Sequence, residues 1–173
     1  MIPDVLRTSF EPSQPASPGE GEGITAQVGS GPQTQLAGTS RHGSSGLRAM
    51  RVRWDGPGER RVVIVDTPVR VPANGRLSYD IFLDADLDDP TPPGAFVCLD
   101  LLFDDGTTLS ASSPIDAHGV GLSPAAQGTS RILMPLQWNR VSCALDGFEG
   151  RTVTQVVAWV ESTDAGQAWI DDV

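Results

Sequence analysis

The stretch GRLSYDIFL, residues 75–83, constrains the fold more than any other. Leu77, Tyr79 and Ile81 alternate with Ser78 and Asp80, a period of two that sets apolar side chains on one face of an extended strand. AFVCLDLLFDDG at 95–106 is apolar on both sides apart from Asp100, as a central strand should be, and its Asp105-Gly106 end reads as a turn. VTQVVAWV at 153–160 has the same two-sided character, with Trp159 read as core. No segment shows the apolar spacing of an amphipathic helix.

Extended runs are also expected at 4–10, 24–28, 47–54, 60–71, 129–134, 138–145 and 166–173, separated by breakers such as DGPG at 55–58. With 19 glycines and 14 prolines and no periodic repeat, the chain fits many short elements joined by turns. The fold class is all-β, and two packed antiparallel sheets are the natural solution, with a barrel as the alternative. A length of 173 residues suits a single domain, 1–173. Within it, 12–23 has almost nothing to bury and is expected to be a flexible loop. Residues 84–94 form an acidic, proline-rich break. The 106–128 connection is long and aperiodic, and connections of that kind often carry function.

The formal charge of −10 disfavours nucleic acid as a partner. Arg51, Arg53, Arg60 and Arg61 are interrupted by a turn and read as the solvated face of a strand pair. No stretch is apolar enough to span a bilayer, so no membrane partner is expected. Residues 1–20 show neither the basic start nor the apolar core of a signal peptide. Cys98 and Cys143 lack metal-ligand spacing; one bridge or two buried thiols are both compatible with the sequence.

Catalytic signatures are missing. There is no nucleophile elbow, phosphate-binding glycine loop or paired-histidine helix. His42 lies in a small-residue loop and reads as exposed. His118 follows Asp116 in DAHG, a pair able to stabilise the long loop or meet a ligand, but with no third group for a triad. Of the four tryptophans, Trp54 beside DGPG is the best candidate for exposure, Trp138 suits core or rim, and none makes an evident platform.

LSYDIF, FDDGTTLS and QWNRVS, in that order and spread over most of the chain, closely resemble an N-terminal β-sandwich segment of bacterial proteins related to glycoside hydrolase family 92 α-mannosidases. SFEP near the start and WIDDV at the end more broadly resemble galactose-binding-like carbohydrate-binding modules, which are jelly rolls. The resemblance implies a structural calcium where the first and last strands meet. Glu11 and Asp171 would be its leading side-chain ligands and Asp172 the reserve, with further oxygens from loop 37–46. Calcium chemistry agrees, since the ion takes several oxygens at about 2.3–2.6 Å and relieves repulsion between gathered carboxylates.

The same resemblance implies an extracellular, secreted setting, in which a Cys98–Cys143 bridge becomes possible. It also implies a non-catalytic module, with a catalytic domain elsewhere in the same polypeptide. A glycan or polysaccharide is then the expected partner, mannose-containing or related. Trp54 would stack on the sugar, and Asp116 and His118, backed by Asp104 and Asp105, would bond its hydroxyls. A structural accessory domain packed on its catalytic partner, with no sugar binding of its own, is the rival. An adhesion or protein-binding role stands third.

Overall fold

The computed structural model describes residues 1–32, 34–36, 39–41, 47–84 and 92–173. Its strands are β1 (Gly19–Gly21), β2 (Ile24–Ser30), β3 (Thr34–Leu36), β4 (Thr39–Arg41), β5 (Arg48–Trp54) and β6 (Gly58–Val65). They continue with β7 (Val69–Arg70), β8 (Arg76–Leu83), β9 (Val97–Phe103), β10 (Trp138–Ala144), β11 (Thr152–Ser162) and β12 (Gly166–Asp171). Single 3-10 turns occupy Pro93–Ala95 and Leu109–Ser112, and one short helix, α1, covers Pro124–Ser130.

A six-stranded antiparallel sheet has the order β1-β2-β5-β12-β8-β10. In the second sheet β11 is central, with β6 and β7 along one side and β9 along the other. β3 and β4 pair separately. The architecture is an all-β, sandwich-like pair of antiparallel sheets, and no closure into a barrel joins them among the described residues.

Alternation decides what goes inside. Met50, Val52 and Trp54 of β5, Tyr79, Ile81 and Leu83 of β8, and Ile170 of β12 enter the core from the first sheet. Ile64, Leu99, Val156, Ala158 and Val160 meet them from the second. Each large aliphatic side chain fully buried this way contributes about 1.5–3 kcal/mol. β11 reaches its length despite irregular registers at Val153/Gln155 and Val156/Val157, where extra residues bend a strand locally.

Several expectations change. Residues 4–10 form no strand; Thr8 instead exchanges two backbone hydrogen bonds with Val173, each 2.9 Å, which straps the N-terminal segment to the end of the chain. The 12–23 stretch holds β1, and the Ser17 N–H donates to the Ile64 carbonyl at 2.8 Å. The strand expected at 129–134 is the end of α1 and a following loop. Ser123 caps that helix through its side chain and Pro124 opens it, a start signal that apolar periodicity does not report in seven residues. His42, most of loop 37–46 and residues 85–91 lie outside the described residues.

The long 106–128 connection is anchored by buried carboxylates. Asp100, on the outer side of β9, accepts from Ser110 N–H (2.9 Å), Ser110 Oγ (2.6 Å), Leu101 N–H (2.9 Å) and Arg61 Nη1 (2.7 Å). Trp159 also lies on that outer side and is only half-buried, with the Arg61 guanidinium 4.3 Å from its ring. It is therefore not a core residue between the sheets.

Candidate functional site

The outer face of the six-stranded sheet carries the chain's most developed aromatic surface. Register aligns Gln27, Arg51, Trp169, Phe82 and Trp138 in one row across β2, β5, β12, β8 and β10. Neighbouring strands are about 4.8 Å apart, so the row spans roughly 19 Å. Phe82 is buried between its two neighbours and meets Trp138 edge-on, with ring centroids 5.6 Å apart. Trp138 and Trp169 are half-buried.

Trp169 has room to lie across the sheet because the next row is small there. Its ring carbons come within 3.8 Å of where Gly29 would carry a Cβ, and Gly29 pairs with Ala49. The Arg51 guanidinium stands 5.7 Å from the ring centroid and donates to Gln27 Oε1 at 3.3 Å. On the other side, Arg53 faces Gln167, whose amide donates to Asp84 Oδ2 at 2.5 Å. An indole flanked by amides, guanidiniums and a carboxylate offers one stacking face and many hydrogen-bonding groups.

None of the residues expected to bind sugar belongs to this row, and Trp54 shares no surface with Asp104. Trp54 is 1% exposed, and its Nε1–H donates to the Asp164 carbonyl at 2.8 Å, so it is core rather than platform. Asp104 lies at the opposite end of β11, its N–H donating to Thr152 O. Eleven residues of strand separate those ends by roughly 35 Å. Asp105 closes its turn on Thr107 and pairs with Arg151 at 2.6 Å. The Thr107 N–H and hydroxyl, then Arg151, hold its carboxyl below the ordinary aspartate value.

Asp116 is turned inward. Oδ1 accepts from the His118 and Val120 N–H groups at 2.8 and 2.9 Å, and Oδ2 accepts from Gln127 Nε2 at 2.9 Å. It ties the long loop to α1, while His118 is exposed beside it.

The calcium expectation is overturned. Among the described residues no group of three or more His, Cys, Asp or Glu side chains is placed to hold a metal ion. Glu11 uses one oxygen, Oε1, to accept from the Leu47 and Arg48 N–H groups at 2.6 and 2.8 Å. Asp171 is fully buried and accepts from the Asp172 N–H at 2.8 Å. Its cross-strand neighbour Asp80 is ion-paired with Arg140 at 2.6 Å. Asp172 has left the strand, with φ 48°. Backbone N–H groups and a guanidinium thus do the neutralising that was assigned to a cation.

The Leu47 and Arg48 N–H groups hold the Glu11 carboxyl below its ordinary value. A depressed folded value means that stability is present above the unfolded carboxyl's range and lost as pH falls through the folded one. Denaturant midpoints followed from neutral to acid pH are expected to fall less steeply for Glu11→Gln than for the native chain, and parallel curves would refute the assignment. Cys98 and Cys143 are both free and buried, with no bridge between them, and burial pushes the pKa of each thiol up.

Sequence reasoning missed Trp169 as a surface residue. The signal was present in AWID, where Trp169 alternates with the inward Ala168 and Ile170. The small residues that give the ring its seat are far away in sequence. No protein-family model matches the chain, and no curated protein matches it either.

Proposed function

We propose that this chain is a non-catalytic carbohydrate-binding module of the galactose-binding-like jelly-roll type. It would serve a secreted bacterial glycoside hydrolase related to the family 92 α-mannosidases, with catalysis in another domain of the same polypeptide. The observation that carries the reading is Trp169, seated over Gly29 on an outer sheet face and bordered by Arg51, Arg53 and Gln167. A half-buried indole suits the C–H face of a sugar ring, and the bordering groups suit its hydroxyls. The glycan would be mannose-containing or related.

A glycan-array screen of the purified chain tests this, followed by titration of the best glycan against Trp169→Ala. Loss of the indole is expected to weaken binding at least about tenfold, or roughly 1.4 kcal/mol. Unchanged affinity in Trp169→Ala, or no binding to any glycan by folded protein, would remove the reading.

The accessory-domain reading has one observation in its favour. Ile132, Met134 and Leu136 are 39%, 57% and 38% exposed, at alternate positions leading into the edge strand β10. An apolar strip of that kind suits coverage by another domain. Absence of glycan binding together with a stable complex with a catalytic domain, lost in Met134→Asp, would favour it.

A further inference from the structure

A cavity of about 700 Å³ opens at one end of the sandwich, and no residue of the aromatic row lines it. The strap Asp4–Ser9, the 69–78 segment and the last two residues enclose it. Behind it Val71, Leu77, Leu101, Leu145 and Val153 are packed core, each at most 6% exposed, and Leu6, Val69 and Val173 are apolar side chains that keep surface in it. Its rim is arginine. Arg7, Arg70, Arg76 and Arg140 line it, four of the twelve basic residues of a chain whose formal charge is −10.

The two acids in the lining are Asp4 and Asp172. Arg140 is matched to Asp80. Arg76 spends Nε and Nη2 on the neutral Ser142 hydroxyl, at 3.2 and 3.0 Å. Arg7 and Arg70 have no ion pair among the described residues. Guanidinium groups with donors to spare, set above an apolar floor, suit a planar anion attached to an apolar body.

The walls are already in place. Arg70 N–H donates to Pro3 O at 2.8 Å, and Thr8 and Val173 bond each other, so both ends of the strap are tied down. On the facing wall, Asn74 takes φ 59° in a turn closed by Gly75 N–H to Pro72 O at 3.0 Å. A Cβ on Gly75 would come within 2.8 Å of Val71 Cγ1, so this wall requires glycine. Preformed cavities of this size commonly take small organic ligands.

We propose that this cleft binds an organic carboxylate, its carboxyl held by the Arg7 and Arg70 guanidiniums and its apolar part against Leu6 and Val69. The cleft is lined by none of the aromatic-row residues and does not depend on the sugar reading.

Calorimetric titration of the full chain with phenylbutyrate and with the neutral phenylbutanol tests it. The acid is expected to bind at least about tenfold more tightly, with the difference shrinking as salt rises. Arg7→Gln and Arg70→Gln change exposed side chains and should leave the fold intact. Each is expected to weaken phenylbutyrate several-fold without affecting phenylbutanol. Equal affinity for acid and alcohol, absence of phenylbutyrate binding into the millimolar range, or displacement by comparable inorganic phosphate would overturn the assignment. So would loss of phenylbutyrate binding in Trp169→Ala, which would move the site to the sheet face.

Discussion

Trp54→Ala is expected to lose about 3–5 kcal/mol of stability, the largest effect of any single truncation considered for this chain. The indole is 1% exposed and closes the core where β5 meets the turn from β11 to β12. Gly166 lies directly opposite, and a Cβ there would come within 2.6 Å of the indole Cζ2. The ring therefore occupies the space that a side chain would otherwise take. Alanine leaves a cavity and removes the Nε1 donor from the Asp164 carbonyl. Trp54→Phe should cost less, because most of the volume remains while the hydrogen bond is lost. Equilibrium urea unfolding with an unchanged slope measures both. A loss under about 1 kcal/mol for Trp54→Ala would mean that the indole is not core.

Asp100→Ala should cost about 3 kcal/mol, by a different mechanism. The carboxylate is 2% exposed and accepts four hydrogen bonds, two of them from Ser110. Removing it strands the Ser110 and Leu101 N–H groups and releases the 3-10 turn that begins the long connection. Arg61 is 37% exposed and can turn towards water, so its share of the loss is small. Asp100→Asn should fall between, since an amide oxygen can keep the backbone donors but offers Arg61 no charge. Hydrogen exchange at Ser110 provides the local readout. Protection there that survives Asp100→Ala would show that the turn is held by packing on Leu109 instead.

Where the reading from sequence succeeded, the information was local. Alternation in LSYDIF predicted that Leu77, Tyr79 and Ile81 share one face, and all three are buried in the core. Asp105-Gly106 predicted a turn, and Gly106 adopts φ 80° with its N–H bonded to Phe103 O. Where it failed, the deciding groups were remote. DGPG makes Trp54 the best candidate among the tryptophans for exposure, but its burial depends on Gly166, more than a hundred residues away. Glu11 and Asp171 are expected as metal ligands only through the resemblance of SFEP and WIDDV to calcium-containing modules. Glu11 instead meets two N–H groups at the start of β5.

Local signals in the sequence are enough to make the chain all-β, to mark where most strands begin and stop, and to say which side chains alternate along each one. Those properties follow from the two-residue period and from turn chemistry, which act over a few residues. The tertiary structure alone decided what the strands bring together. Strand order sets Gln27, Arg51, Trp169, Phe82 and Trp138 in a single row although they are scattered over 143 positions. It also gathers Arg7, Arg70, Arg76 and Arg140 around one cleft. Such groupings depend on register between strands distant in the chain, and short-range periodicity carries no information about which strand lies next to which.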